Sequence, residues 1–95
     1  MGEESILFMV IEKFKNRDAA AVYRRFREKG RMMPDGLKYI DSWTEATFDR
    51  CFQLMECDDP KLLEQWTARW SDLVDFEILP VLTSKEAAKS IEPSL

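Results

Sequence analysis

The sequence contains no histidine. It therefore lacks the side chain that most often acts as a general base near neutral pH, and it lacks the Ser-His and Cys-His pairs that activate nucleophiles. The commonest protein ligand of metal ions is missing as well. Any catalytic chemistry must use carboxylates, tyrosines, lysines or cysteines, and we expect neither a metal site nor a cofactor.

Long apolar runs and targeting signals are also missing from the sequence. No stretch approaches the roughly 18 apolar residues of a membrane-spanning helix. The opening MGEESILFMV lacks the basic start and the small-residue cleavage site of a signal peptide. Ile6 stands where a myristoylation signal has Ser or Thr. These absences predict a cytoplasmic protein without a membrane partner.

The sequence has fewer basic than acidic residues. Its 18 acidic and 14 basic residues give a formal net charge of −4. Nucleic-acid-binding domains usually present a basic face, so we expect an acidic surface and no nucleic-acid partner. The chain is 45% hydrophobic and 12% aromatic, which is ample for a packed core. Its 95 residues suit a single domain that spans residues 1–95.

Hydrophobic periodicity and turn signals predict six main elements in the order β-α-β-β-α-β. The predicted strands are residues 5–14, 37–45, 48–57 and 75–84. The first predicted helix covers residues 16–30, with Asn16 or Asp18 as its N-cap and Gly30 at its end. The second begins after Asp59, which precedes a proline that suits the first helical position. The ordered core is then about residues 5–84, followed by a short helical tail at residues 84–92.

This element order is that of the α+β ferredoxin-like fold, in which two helices cover one face of a four-stranded antiparallel sheet with strand order 4-1-3-2. Two features support this prediction. The first and third strands, which would be central, carry apolar residues at both parities. The fourth strand, which would lie at an edge, contains Pro80, and proline is tolerated at sheet edges.

The second face of such a sheet would be left uncovered, and either apolar set of the central strands could occupy it. In the first strand the sets are Leu7, Met9 and Ile11 or Ile6, Phe8, Val10 and Phe14. In the third strand they are Cys51, Gln53 and Met55 or Phe52 and Leu54.

Either choice leaves four or five large apolar side chains in water, which forgoes about 6–15 kcal/mol of burial. That loss is comparable with the whole stability of a domain. We therefore predict a homodimer whose open sheet faces pack together. The alternative is a monomer whose C-terminal tail folds over the sheet.

The segment CFQLMECDDP combines two cysteines with three acids and has the composition of a redox or metal site. Cys51 and Cys57 lie six residues apart on one predicted strand, which separates their Cα atoms by about 20 Å. They can neither form an intrachain disulfide nor share one metal ion. Cys51 is interpreted as a small buried hydrophobe, with a reactive thiol as the alternative, and Asp58 and Asp59 as helix-capping residues.

Candidate functional residues are those that interrupt the apolar strands or extend their aromatic side chains toward the helices. Tyr39 and Trp43 share a parity of the second strand, and that side, if it faces the helices, would line a cavity. We predict that Glu12, Tyr39, Trp43 and Gln53 bind a ligand there. A buried acid such as Glu12 could act as a base, although ion pairing is the simpler role. Arg31 would either hold an anion near the cavity mouth or be a solvated surface arginine.

Four segments together resemble a family of small bacterial proteins known only as a domain of unknown function. They are LFMVIEKF, FREKGRMMPDGLKYIDSW, FDRCFQLMECDDP and WTARWSDLVDFEILPVLTS, and the resemblance extends from about residue 6 to 88. The family is similar to the dimeric α/β-barrel superfamily, which implies the same fold and a homodimer. That superfamily includes cofactor-independent monooxygenases, haem-degrading enzymes and isomerase-like enzymes. The resemblance implies no particular catalytic residues.

Taken together, these features predict an uncharacterised homodimer that binds a small hydrophobic or aromatic ligand between the sheet and the helices. The first alternative is a cofactor-independent enzyme of the monooxygenase or isomerase type that acts on a hydrophobic organic substrate. The second is an accessory or regulatory subunit that binds another protein through an exposed strand edge.

Overall fold

The computed structural model describes residues 5–95. In this part of the chain four strands and three α-helices alternate in the order β-α-β-β-α-β-α. The elements are β1 (Ile6–Phe14), α1 (Ala19–Lys29), β2 (Lys38–Thr44), β3 (Arg50–Cys57), α2 (Lys61–Ala68), β4 (Val74–Val81) and α3 (Ser84–Ile91). Short 3₁₀ turns follow β1 at Lys15–Arg17 and α3 at Glu92–Ser94.

The strands form one sheet with the order β2-β3-β1-β4, and every neighbouring pair is antiparallel. Counted from the other edge this is 4-1-3-2, the order predicted from the sequence. The α+β class is confirmed, β1 and β3 are central, and Pro80 lies in an edge strand. An edge accommodates proline because only one side of the strand must donate hydrogen bonds to a neighbour.

Local sequence signals account for the ends of the helices. The Asp18 carboxylate accepts a hydrogen bond of 3.1 Å from the backbone N–H of Ala21, so it caps α1. Gly30 ends this helix with φ of +67°, a conformation that glycine adopts without strain. Asp59 accepts a 3.0 Å hydrogen bond from the N–H of Lys61 at the start of α2, so its predicted capping role is confirmed.

The turn between β2 and β3 is longer than predicted. Glu45 and Arg50 close it with a backbone hydrogen bond of 2.8 Å and a two-pronged side-chain ion pair of 3.0 Å per bond. Phe48 lies within this turn at φ of +62°, which no strand residue adopts. The third strand therefore begins at Arg50, and its predicted start at residue 48 is wrong.

A β-bulge interrupts the pairing of β2 with β3. Tyr39 lies opposite Met55 and Asp41 lies opposite Leu54, so Ile40 is an extra residue without a partner. The bulge reverses the alternation of side chains along the rest of the strand. Tyr39 and Ser42 consequently lie on one face of the sheet, while Trp43 lies opposite Phe52 on the other face and is 52% exposed. The prediction that Tyr39 and Trp43 share a face is therefore wrong.

The core lies between the sheet and the helices α1 and α2. The sheet contributes the even-numbered residues of β1 and the odd-numbered residues of β3, α2 contributes Leu63 and Trp66, and Trp70 follows in the turn after α2. The buried apolar side chains are Phe8, Val10, Phe14, Val22, Leu37, Cys51, Met55, Cys57, Leu63, Trp66, Trp70 and Val74. The open face of the sheet, which the sequence left undecided, therefore carries Leu7, Met9, Ile11, Phe52 and Leu54.

The C-terminal helix α3 leaves this face uncovered. It begins with a capping box in which the side chains of Thr83 and Glu86 each bond the other residue's backbone N–H. Its last residue, Ile91, is 56% exposed, and Leu95, which follows the final 3₁₀ turn, is 94% exposed. The Cα radius of gyration is 15.1 Å, larger than the roughly 12 Å of a compact domain of this length. None of the helices between residues 5 and 95 is long and apolar enough to cross a membrane.

Candidate functional site

A cavity of about 100 Å³ lies between the helix-facing side of the sheet and the helices α1 and α2. Its apolar wall consists of the side chains of Phe14, Val22, Tyr23, Phe26, Trp66 and Trp70. Its polar lining consists of Glu12, Arg31, Ser42, Thr44, Cys51 and Gln53. Several elements that are distant in sequence therefore direct polar groups into one small space with aromatic walls.

The innermost polar groups are Glu12 on β1 and Gln53 on β3, which are only 6% and 8% exposed. Val10 pairs with Gln53, and Glu12 pairs with Cys51, so Glu12 and Gln53 lie diagonally across adjacent strands on the same face. The Gln53 Nε2 group donates a hydrogen bond of 2.5 Å to Glu12 Oε2. The buried carboxyl group thus has a partner within the protein.

Arg31, between α1 and β2, extends this pair into a chain of three side chains. Its Nε group donates to Gln53 Oε1 over 3.4 Å. Its backbone carbonyl accepts hydrogen bonds of 2.9 Å from the indole N–H groups of both Trp66 and Trp70. The two indoles therefore hold the backbone that carries the guanidinium group at the cavity.

The pKa of Glu12 is raised by burial to about 7. The hydrogen bond from Gln53 and the charge of Arg31 both lower the pKa, but they offset the burial only in part. Near neutral pH the carboxyl group is therefore divided between its protonated and ionised forms. A group in that condition can both accept and donate a proton, as general acid–base chemistry requires.

Hydroxyl and thiol groups complete the polar lining. The Tyr23 and Thr44 hydroxyls share a hydrogen bond of 2.6 Å, which connects α1 to β2 across the cavity. Burial, together with the charge of Glu12, raises the pKa of the Cys51 thiol. Cys51 therefore remains a protonated thiol near neutral pH, which is the less nucleophilic form. Both Cys51 and Cys57 are free.

The chain matches a known protein family. Residues 6–95 match the family described as Domain of unknown function (DUF3303). The chain belongs to the DUF3303 family. The resemblance to a domain of unknown function is thereby confirmed. No curated protein and no solved structure matches the chain.

Only two of the four predicted ligand residues of this DUF3303 chain line the cavity. Glu12 and Gln53 both line the cavity and contact each other. Tyr39 lies next to it, where its ring centroid is 3.7 Å from the guanidinium carbon of Arg31 and its hydroxyl bonds Ser42 over 2.6 Å. Trp43 lies on the opposite face of the sheet, because the bulge at Ile40 reverses its orientation.

Three polar residues of the cavity were not predicted as ligand residues from the sequence. Thr44 and Cys51 pair directly across β2 and β3, and Ser42 pairs with Gln53. The register of these strands would have revealed all three, because paired residues share a face. Among residues 5–95 no group of three or more Cys, Asp or Glu side chains is arranged to hold a metal ion.

The raised pKa of Glu12 makes stability depend on pH. An ordinary glutamate ionises near pH 4.5, but Glu12 in the folded chain ionises near pH 7, so folding takes up a proton between these values. The free energy of unfolding should therefore fall by about 3 kcal/mol as pH rises from 4.5 to 7, and this contribution should then level off. Glu12→Gln removes the ionisation. The free energy of unfolding of this variant, measured relative to that of the wild type, should therefore increase by about 3 kcal/mol between pH 4.5 and 7.

Urea unfolding followed by tryptophan fluorescence at pH 4.5, 5.5, 6.5 and 7.5 measures this difference. Glu28→Gln, at an exposed position of α1, is the matched control and should follow the wild type throughout. A constant difference between Glu12→Gln and the wild type would show that Glu12 ionises normally.

Proposed function

We propose that this DUF3303 protein is a homodimer that binds a small hydrophobic or aromatic molecule in the cavity between sheet and helices. The observation that carries the proposal is the buried Glu12–Gln53–Arg31 chain, which faces a cavity otherwise walled by aromatic rings. Burying a carboxyl group is costly, and a purely structural core would contain an apolar side chain there. Apolar pockets with a few convergent polar groups and a perturbed pKa are typical of ligand sites.

The size of the cavity limits the ligand. About 100 Å³ is well below the roughly 300–1,000 Å³ of pockets that enclose drug-sized molecules. It is closer to the roughly 150 Å³ of an engineered protein cavity that holds benzene. Tyr23 and Phe26 line the cavity and are also partly exposed, which supports access from solvent alongside α1. The ligand is accordingly a molecule with at most a single ring.

The homodimer is supported by the open face of the sheet. Its centre is apolar, with Leu54 opposite Met9 and Phe52 opposite Ile11. Charged residues lie at both ends, where Lys13 pairs with Arg50 and Lys38 pairs with Glu56. A second copy that packs by a two-fold axis would bury the apolar centre and leave these charges in water. This is the ferredoxin-like, dimeric α/β-barrel arrangement that the family resemblance implies.

A second candidate function is that of a cofactor-independent enzyme of the isomerase or monooxygenase type. The observation that favours it is the pKa of Glu12, which is close to the operating pH of a general base. In the first step Glu12 would remove a proton from an acidic C–H group, and the electron pair would remain on the substrate as an enolate. The positive charge of Arg31 in the same cavity would stabilise that anion.

The dimer is tested by static light scattering at micromolar concentration, which should give about twice the 11.2 kDa of one chain. Ile11→Glu places a charge in the apolar centre of the open face and should produce a monomer. Ile91→Glu makes the same change on exposed α3 and should leave the dimer intact. A monomeric wild type would contradict the proposal, as would equal behaviour of the two variants.

Ligand binding is tested by thermal shift with phenol, toluene and benzene. A ligand at about ten times its Kd stabilises the folded state by about 1.4 kcal/mol, which corresponds to about 6–11 °C in Tm for a chain of this size. Val22→Phe extends a ring into the cavity and should abolish the shift. Ala20→Phe adds the same ring at an exposed position of α1 and should preserve it. If none of these molecules raises Tm, the cavity does not bind small aromatic ligands.

The enzymatic candidate is tested with cyclopentanone, a small apolar ketone, in D₂O. Protein-dependent deuterium incorporation next to the carbonyl group, followed by NMR, should rise with the ionised fraction of Glu12 and reach half its maximum near pH 7. Glu12→Gln should abolish it, and exposed Glu28→Gln should not. Exchange that persists in Glu12→Gln would exclude Glu12 as the base.

A further inference from the structure

We propose that the ligand of this cavity is a small organic carboxylic acid, which Arg31 holds as the carboxylate while Glu12 takes up one proton. This inference rests on the ligand site proposed above and names its ligand class. It is carried by the unused hydrogen-bonding capacity of Arg31 and by the position of Glu12 in the same cavity.

Arg31 lacks an anionic partner among residues 5–95. The ion pairs in that range engage Lys15, Arg17, Arg25, Lys38 and Arg50. The side chain of Arg31 donates one hydrogen bond there, from Nε to Gln53, and this leaves the N–H groups of both terminal nitrogens without a protein acceptor. A guanidinium fork of this kind fits a carboxylate with two parallel hydrogen bonds.

The guanidinium group is also held in place before any ligand arrives. Its central carbon lies 3.7 Å from the ring centroid of Tyr39 and 5.0 Å from that of Phe26. These contacts stabilise the cation and restrict its rotamers. Because the fork is already ordered, little conformational entropy is lost when an anion binds. Arg24, by contrast, is an exposed arginine on α1 and serves as a natural control.

Glu12 determines whether an anion is tolerated next to this fork. Three other titratable or charged groups line the cavity around Glu12: Arg31 before β2, Cys51 on β3 and Tyr23 on α1. Tyr39 of β2 packs against Arg31. The residues that face Glu12 from α2, from the turn after α2 and from β4 are Trp66, Trp70 and Phe76, which do not titrate. An ionised Glu12 would repel a carboxylate, whereas a protonated Glu12 would leave Arg31 as its only charged neighbour in the cavity.

Protonation of Glu12 is readily achieved near neutral pH, since burial already raises its pKa to about 7. A bound carboxylate is a second negative charge in the cavity and raises that pKa further. Binding must then be accompanied by proton uptake above pH 7. By linkage, the affinity for the carboxylate falls about tenfold for each pH unit above that value, until the pKa of the complex is reached.

The experiment is isothermal titration calorimetry of the full chain with benzoate and, as a smaller acid, butyrate, each paired with its neutral amide. Titrations at pH 6, 7, 8 and 9 in two buffers of different ionisation enthalpy give both the affinity and the number of protons taken up. We expect at least one acid to bind with an affinity about tenfold lower at pH 9 than at pH 8. At pH 9 we expect uptake close to one proton, and no pH dependence for the amides.

Three variants separate the roles of the two residues. Glu12→Gln imitates the protonated acid, so it should retain the affinity of pH 6 at all pH values and take up no proton. Arg31→Lys keeps the positive charge but removes the fork, so it should weaken acid binding at least tenfold and leave amide binding unchanged. Arg24→Gln should behave as the wild type.

The outcomes distinguish this inference from the proposed function. Binding of benzamide, phenol or benzene without binding of either acid would overturn the carboxylate site and leave the ligand cavity standing. Acid binding that is independent of pH in the wild type, or unaffected by Arg31→Lys, would overturn the coupled mechanism. If neither acids, amides nor aromatic molecules bind, both this inference and the proposed ligand site are wrong.

Discussion

The antiparallel pairing of β1 with β3 determines the position of almost everything else in the molecule. It directs Phe8, Val10 and Met55 toward the helices, where burial of these side chains supplies much of the driving force for folding. The same register makes Glu12 and Gln53 diagonal neighbours on that face. Because the side-chain period of a strand is two, a slip of one residue would exchange the buried carboxyl group for a surface one. The core and the candidate site therefore depend on one alignment.

The second constraint is the carbonyl group of Arg31, which accepts the indole N–H groups of Trp66 in α2 and of Trp70 just after it. Two buried tryptophans need acceptors for their N–H groups, and one backbone atom supplies both. This arrangement ties α2 to the segment that leads from α1 into β2. It also fixes the position of Arg31 at the start of the Arg31–Gln53–Glu12 chain. The same contacts therefore determine both the packing of the core and the geometry of the cavity.

Much of the fold follows from local signals in the sequence, whereas the site follows only in part. Asp18, Gly30 and Pro80 occupy positions that their backbone chemistry prefers, so the helix ends and the edge strand were predictable. Glu12 and Gln53 were detectable as polar interruptions of apolar strands. The bulge at Ile40 was not, since no glycine or proline marks it, and it misdirected the prediction for Trp43. The interaction of Arg31 with two aromatic rings depends on tertiary contacts that periodicity does not report.

The bulge has a further consequence for how β2 tolerates change during evolution. Loss of the single codon for Ile40 would remove the extra residue and restore regular alternation in β2, with Ser42 still facing the helices and Trp43 still on the open face. In a strand without a bulge, loss of one residue would instead exchange the two faces of the sheet for every residue beyond it. This edge strand can therefore lose or regain one residue without any change in the cavity wall.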